Sequence, residues 1–279
     1  MTNPATRAVM KIYPDDTYVT PESICHPVCR TFPNISFYWR MCSTLYKASC
    51  LAKEGKYDDN KWVVSSVAIR NALEICGVRM TFEGLNVLKK TNPPCVFIGN
   101  HMSTLETFVL PSLISPCYPV TFVVKESLMR YPIFHHLMKS RDPIVVQRKE
   151  ARADFATVME CGLERLAKGI SIIIFPQSTR SITLDKRHFN SMGIKLARRA
   201  NVPVVPMAIR TDAWGMGGFF GLLKDHGPIN PKIPVHIRFG EPLFIKGNGK
   251  AEHESVYSFI EGALGEWGLP KALLPHSNP

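Results

Sequence analysis

The sequence predicts an α/β fold, a mixed and largely parallel sheet flanked by helices. Three observations carry that expectation. The chain has 279 residues with 45% hydrophobic and 20% charged, enough for a real core and one large domain or two small ones. Strand-like runs alternate with helical segments from residue 78 onward, the pattern of a sheet covered on both faces. The segment from about Glu150 places Phe155, Val158, Met159, Gly162, Leu163 and Leu166 on one 3.6-residue stripe, ended by Gly169.

In chain order, residues 1–33 hold Pro4, Pro14, Pro21, Pro27 and Pro33 and read as an irregular arm. The next segment, ISFYWRMCSTLYKASCLAK (35–53), suits a helix. Its Phe37, Tyr38, Trp39, Leu45, Tyr46 and Leu51 with Arg40, Lys47 and Lys53 fit a membrane interface, where rings sit near headgroups and cations snorkel. They fit a helix packed on the main domain equally well. A second helix is expected from Lys61 to Cys76, with Gly77 as its stop and Arg70–Glu74 as an i,i+4 pair. Residues 1–77 are read as an arm with a two-helix extension, membrane-associating in the first of these readings, and residues 78–279 as the main domain.

Strands are expected at VRMTF (78–82), PCVFIG (94–99), PVTFVVK (119–125), PIVVQ (143–147), SIIIF (171–175), PVVPMAI (203–209) and VHIRF (235–239). Helices are expected after PCVFIG, from Tyr131, from Glu150, near 189–200 and near 252–266. Residues 107–124 carry no charge and reach the lower limit for a membrane span. Pro111, Pro116 and Pro119 interrupt them, so a buried helix, a turn and a central strand fit better. The apolar loop 213–223 is read either as a buried turn or as a lipid-dipping loop anchored by Trp214, Phe219 and Phe220.

The balance of 34 Lys+Arg against 23 Asp+Glu gives +11 and calls for an acidic partner: nucleic acid, an anionic membrane or a phosphorylated substrate. Basic residues are scattered and no nucleic-acid-binding signature is present, which sets nucleic acid aside. Of eight cysteines only Cys25 and Cys29 are close, and two further metal ligands at a recognisable spacing are missing. Reduced thiols and no metal are expected. The opening MTNPATRAVMKIYPDD lacks the order of a signal peptide, so the protein is expected to face the cytoplasm.

Candidate chemistry sits where PCVFIG runs into Asn100-His101-Met102-Ser103-Thr104-Leu105-Glu106. A loop at a strand end is where α/β folds place reactive groups. Histidine takes a proton near neutral pH, and a carboxylate on its other nitrogen fixes the tautomer. In one continuous helix His101 and Glu106 would lie about 500° apart and could not meet. They meet if His101 precedes the helix and Glu106 stands in its first turn, with Ser103 as N-cap of a Ser-x-x-Glu capping box. The cap is also the purely structural reading of Glu106.

These residues resemble the glycerolipid acyltransferases, which include the 1-acyl-glycerol-3-phosphate acyltransferases. Asn-His-x-Ser-x-x-Glu (100–106) resembles the family's first motif, His, four residues, then Asp. PIVVQR, ending in Arg148, is similar to the second. Phe175-Pro176-Gln177-Ser178-Thr179-Arg180-Ser181 resembles the third, Phe-Pro-Glu-Gly-Thr-Arg-Ser. Val202-Pro203-Val204-Val205-Pro206 matches the fourth, and Lys125 matches a lysine that often precedes the second. The blocks fall in order over about residues 78–210, roughly half the chain. Glu106 stands for Asp, Gln177 for Glu and Ser178 for Gly.

The resemblance implies a catalytic domain in which His101 deprotonates an acceptor hydroxyl and Glu106 orients the imidazole. The oxygen attacks the thioester of acyl-CoA or acyl carrier protein, with backbone N–H groups near 177–179 on the oxyanion. No cofactor beyond that co-substrate is expected. Arg180 is the leading phosphate ligand, with Thr179 and Ser181 adding hydrogen bonds, Arg148 second and Lys125 third. Gln177 is expected on the acceptor side. The implied acceptor is lysophosphatidic acid at an anionic membrane, with peripheral or monotopic attachment at the cytoplasmic face. The departures keep two alternatives open, an acyltransferase for another lysophospholipid or lyso-aminolipid, and a non-catalytic lipid-binding relative. Cysteine nucleophiles are not expected, because none stands in a polar strand-end loop beside a base.

Overall fold

The computed structural model describes residues 13–130, 132–177, 179–217 and 226–270. Ser178, Phe219 and Phe220 lie outside the described residues. The strands are β1 (Tyr18–Val19), β2 (Met80–Glu83), β3 (Val96–Gly99), β4 (Val120–Lys125), β5 (Ile144–Val146), β6 (Ser171–Ile174), β7 (Val204–Arg210) and β8 (Val235–Phe239). They form one eight-stranded sheet in the order β1-β2-β8-β7-β3-β6-β4-β5. The run β7-β3-β6-β4-β5 is parallel throughout, while β8 lies antiparallel to β7 and parallel to β2. The expected mixed, largely parallel sheet is what the chain forms. The ends of β3, β6, β4 and β5 therefore open on one edge.

Alternation along the central strands builds two cores. Val96 and Ile98 of β3 face one cluster with Ile172, Ile174 and Val204; Phe97 faces the other with Ile173 and Val205. The first cluster is closed by α7 (Ala151–Ala167), α8 (Met192–Ala200) and α9 (Lys250–Glu266). Helix α8 lies so near the sheet that a Cβ on Gly193 would come within 2.7 Å of Ile98. The predicted stripe of α7 holds, with Val158, Met159, Gly162 and Leu166 buried.

The second cluster is closed by α2 (Pro33–Lys53), α3 (Asp59–Ile75) and α5 (Leu105–Ile114), with Leu137 from α6 (Pro132–Ser140). Phe37, Met41, Leu45 and Ala48 of α2 are buried in it, so the N-terminal helices share the core of the sheet. Helix α2 is also apolar on its outer side. Phe32, Ile35, Trp39 and Tyr46 are exposed, Trp39 at 78%. Among the described residues no helix is long and apolar enough to cross a membrane.

The uncharged stretch 107–124 resolves as read from its prolines, into α5, a turn and β4, although β4 lies one strand in from the edge. Pro111 sits inside α5, where it forfeits a backbone bond. Ser66 of α3 enters the ladder nearby. Its hydroxyl donates to the carbonyl of Phe108 and accepts the N–H of Ser112 at 2.9 Å, bridging a broken i→i+4 link. That contact seats the helix whose first turn carries Glu106.

Three short elements differ from expectation. The arm read as irregular contains β1 and α1 (Pro27–Thr31), and α4 (Leu85–Lys90) follows β2. None is long enough to show a period. β1 is held by side chains as well as by β2: Tyr18 and Thr20 hydroxyls each donate to Glu74 at 2.7 Å.

Candidate active site

His101 leaves β3 just before α5 begins, and Glu106 stands in the first turn of α5, as the spacing requires. Nδ1 of His101 lies 2.8 Å from Oε1 of Glu106. Glu106 is fully buried, and the same carboxylate accepts the N–H of Met102 at 2.7 Å, the N–H of Ser103 at 3.0 Å and the hydroxyl of Thr211 at 2.6 Å. Burial pushes its pKa up. The hydrogen bond and charge of His101, the Thr211 hydroxyl and the backbone donor outweigh that and hold it below the ordinary glutamate value. An ionised carboxylate on Nδ1 makes that nitrogen the N–H of the neutral ring and leaves Nε2 as the base.

The cap differs in detail from the capping box. Helix α5 starts at Leu105 with Thr104 at the N-cap, and Ser103 Oγ takes the N–H of Leu105 at 3.0 Å. Glu106 still reaches back to the N–H of Ser103, so its helix-capping contact and its imidazole contact coexist on one carboxylate.

The loop after β6 closes over the histidine. The Phe175 ring stacks on the imidazole at 4.5 Å and 8°. Ser181 donates its N–H to the His101 carbonyl at 2.9 Å, and Gln177 Oε1 accepts the His101 N–H at 2.9 Å. Arg180 donates to the hydroxyl of Thr104 beside the histidine. Thr179 is exposed at the same loop. Asn100 carries its carboxamide across to β7, donating to Ile209 O at 2.7 Å and accepting Ile209 N–H at 2.9 Å. Pro206 pairs with Ile98 in the sheet and its carbonyl accepts Gly240 N–H, and the Pro176 carbonyl accepts from Asn190, so both prolines are scaffold.

Arg148 follows β5 in a left-handed conformation, φ 58°, unusual for a side-chain-bearing residue. Asp154 in the first turn of α7 holds it there, accepting the N–H groups of Gln147 and Arg148 at 2.9 and 2.8 Å. Partial burial lowers the Arg148 pKa, Asp154 opposes that, and the Arg180 guanidinium lowers it further. Two cations from different loops thus act on one region at the strand ends. Lys125 ends β4 in register with Val146, exposed, near this group.

Two sequence expectations change. Trp214 is 1% exposed, packed against Phe37 and Phe108 with its N–H on the Tyr38 hydroxyl, so it pins α2 to the domain and is not offered to lipid. Gln177 is buried with both ends of its amide satisfied by the protein, and does not face an acceptor. Thr211, Thr104 and Thr183 are site residues that sequence reasoning missed; each meets its partner only through the fold. Cys95 lies at the opposite end of β3 from His101, and burial pushes its thiol up to about 12, which keeps it inert.

The acyltransferase family profile matches residues 79–210. A 1-acyl-sn-glycerol-3-phosphate acyltransferase of Pseudomonas aeruginosa is 33% identical over 135 residues, 48% of this chain and 50% of that protein. The protein of that name from Cocos nucifera is 30% identical over 192 residues, 69% of this chain and 58% of its own length. The chain thus spans about half the length of the curated relatives it matches. The crystal structure of the 1-acyl-sn-glycerophosphate (LPA) acyltransferase PlsC from Thermotoga maritima superposes with a TM-score of 0.64 at 16% identity, over 86% of this chain and 98% of that one, and shares the fold. The segment that builds the His101–Glu106 loop is the segment that the profile matches, so residues 79–210 of this chain are similar to the acyltransferase family.

Proposed function

We propose that the protein transfers a fatty acyl group from acyl-CoA or acyl carrier protein to the free hydroxyl of 1-acyl-glycerol-3-phosphate, giving phosphatidic acid in phospholipid biosynthesis. The observation that carries this reading is the His101–Glu106 pair at 2.8 Å, with Arg180 on the neighbouring Thr104 and Arg148 just past the end of β5. The names of the relatives supply the acceptor.

His101 Nε2 takes the proton of the acceptor hydroxyl, and Glu106 stabilises the imidazolium that forms. The acceptor oxygen bonds to the thioester carbon. The tetrahedral intermediate, its oxyanion met by backbone N–H groups of the loop after β6, collapses with cleavage of the C–S bond. The departing thiolate takes the proton back from His101, so the enzyme ends as it began. Arg180 and Arg148 hold the phosphate, and Lys125, Thr179 and Ser181 rim that end. The chemistry calls for no cofactor and no covalent enzyme intermediate.

The acceptor lives in a bilayer, and the outer stripe of α2 fits one. Phe32, Ile35, Trp39 and Tyr46 lie on one exposed face with Arg40, Lys47 and Lys53 exposed on the same helix. The protein sits on the cytoplasmic leaflet in this reading, peripheral or monotopic, and its net charge of +11 adds attraction to anionic lipid. Changing Ile35, Trp39 and Tyr46 together to Ser should leave the thermal melt unchanged and abolish sedimentation with anionic vesicles. Full sedimentation of that variant would move the contact elsewhere.

The activity is tested by thiol release from palmitoyl-CoA and from palmitoyl carrier protein across a panel of lysolipids, with product mass read for each. Release that requires lysophosphatidic acid and yields phosphatidic acid supports the reading. Release only with another lysolipid assigns the site to that acceptor. No release with any pair leaves a non-catalytic lipid-binding protein.

A further inference from the structure

The loop after β6 grips His101 at its ring, its carbonyl and its N–H, through Phe175, Ser181 and Gln177. The third grip depends on side-chain chemistry. Gln177 is 4% exposed, its Oε1 accepts the His101 N–H at 2.9 Å, and its Nε2 donates to the Thr183 carbonyl at 3.3 Å. These partners leave one orientation of the amide, because a backbone N–H can only donate and a carbonyl can only accept. A carboxylate at this place would still serve His101, but it has no hydrogen for Thr183 and would set oxygen against oxygen at a part-buried contact. The resembling family motif has Glu here, so the 177–183 turn of this chain is built around an amide.

We infer that Gln177 is a positioning residue for His101: its neutral amide ties the backbone of the general base to the 181–183 turn, and so sets where Nε2 stands relative to Arg180. The inference rests on His101 as the base of the proposed reaction. The amide touches protein at both ends, and it acts through the histidine it holds. Loss of the tether lets the base drift, and sub-ångström drift at a proton-transfer distance costs rate more than affinity.

The test compares wild type with Q177E and Q177M. Q177E keeps the shape and the acceptor but loses the donor; Q177M loses both. Two readouts are taken on each: kcat and KM for lysophosphatidic acid, and hydrogen exchange of the His101 backbone N–H, which needs no turnover. The expected result is a kcat loss on the order of tenfold or more for Q177M and a smaller loss for Q177E. KM should stay within about threefold and His101 N–H exchange should quicken in the same order. A change in KM with kcat intact would make Gln177 an acceptor contact and overturn the inference, as would unchanged kcat or unchanged exchange at His101. If wild type shows no turnover, the proposed reaction fails on its own account, and the exchange of His101 still decides whether Gln177 holds it. Thermal melts guard against unfolding, and Q177E, nearly isosteric, keeps the test open should Q177M not fold.

Discussion

Two carboxylates among the described residues are fully buried, and they do opposite work. Glu74, on α3, lies 3.4 Å from the guanidinium of Arg70 and takes the hydroxyls of Tyr18 and Thr20 at 2.7 Å. Arg70 in turn sits over the Tyr18 ring, 4.9 Å from its centroid. Glu106 is as deeply buried and better supplied with donors, and its cationic partner is an imidazole that keeps a second nitrogen for chemistry. Arginine holds its proton and has no lone pair to offer, so the Glu74 contact serves as a clamp on the arm. An imidazole can take and return a proton, so the Glu106 contact is suited to proton transfer. A buried charge therefore marks a function only when its partner can change protonation.

The largest expected contrast is between E106A and E74A. E106A should lower kcat by about three to four orders of magnitude, the scale of a lost orienting carboxylate, in steady-state assays on folded protein. E74A should leave kcat per folded molecule within about twofold, yet cost about 3–5 kcal/mol in denaturant unfolding, because Arg70 is left buried without its partner. A large kcat loss in E74A would merge the two sites and break the comparison.

A finer version removes one hydroxyl from each. T211V takes the 2.6 Å donor from Glu106 and should slow kcat several-fold, with unfolding changed by about 1 kcal/mol. T20V takes the 2.7 Å donor from Glu74 and should cost about the same stability with no change in kcat.

Acid titration gives the smallest effect. The Glu106 pKa lies below the ordinary 4.5, so its ionic contacts contribute full stability above that value and lose it as pH falls through the lowered one. The unfolding free-energy difference between wild type and E106Q should shrink as pH falls below about 4.5. A difference that fades between about pH 7 and about pH 5 would mean that the carboxyl is raised, not lowered.

Local chemistry was legible in the sequence, and long-range closure was not. VHIRF forms β8 over the expected residues, and PCVFIG forms β3, since alternation and β-branching act within a few residues. His101 and Glu106 could be paired because both lie on one turn. Thr211, which completes the carboxylate, arrives from 105 positions away, and Ser66 repairs α5 from another helix; no spacing rule reaches either. Trp214 shows the same limit in reverse. Its glycine-rich surroundings fit a buried turn and an exposed loop alike, and only Phe37 and Phe108, brought together from α2 and α5, decide for burial. Trp39, on a helix whose outer face was readable as amphipathic, is exposed as one of its two readings required.

The most direct test of the central claim is the rate of thiol release from palmitoyl-CoA with lysophosphatidic acid, measured for wild type and H101A at matched thermal stability. Release in wild type should depend on the acceptor, and H101A should lose about two to four orders of magnitude in rate with donor affinity retained. An H101A protein that turns over at the wild-type rate would contradict it.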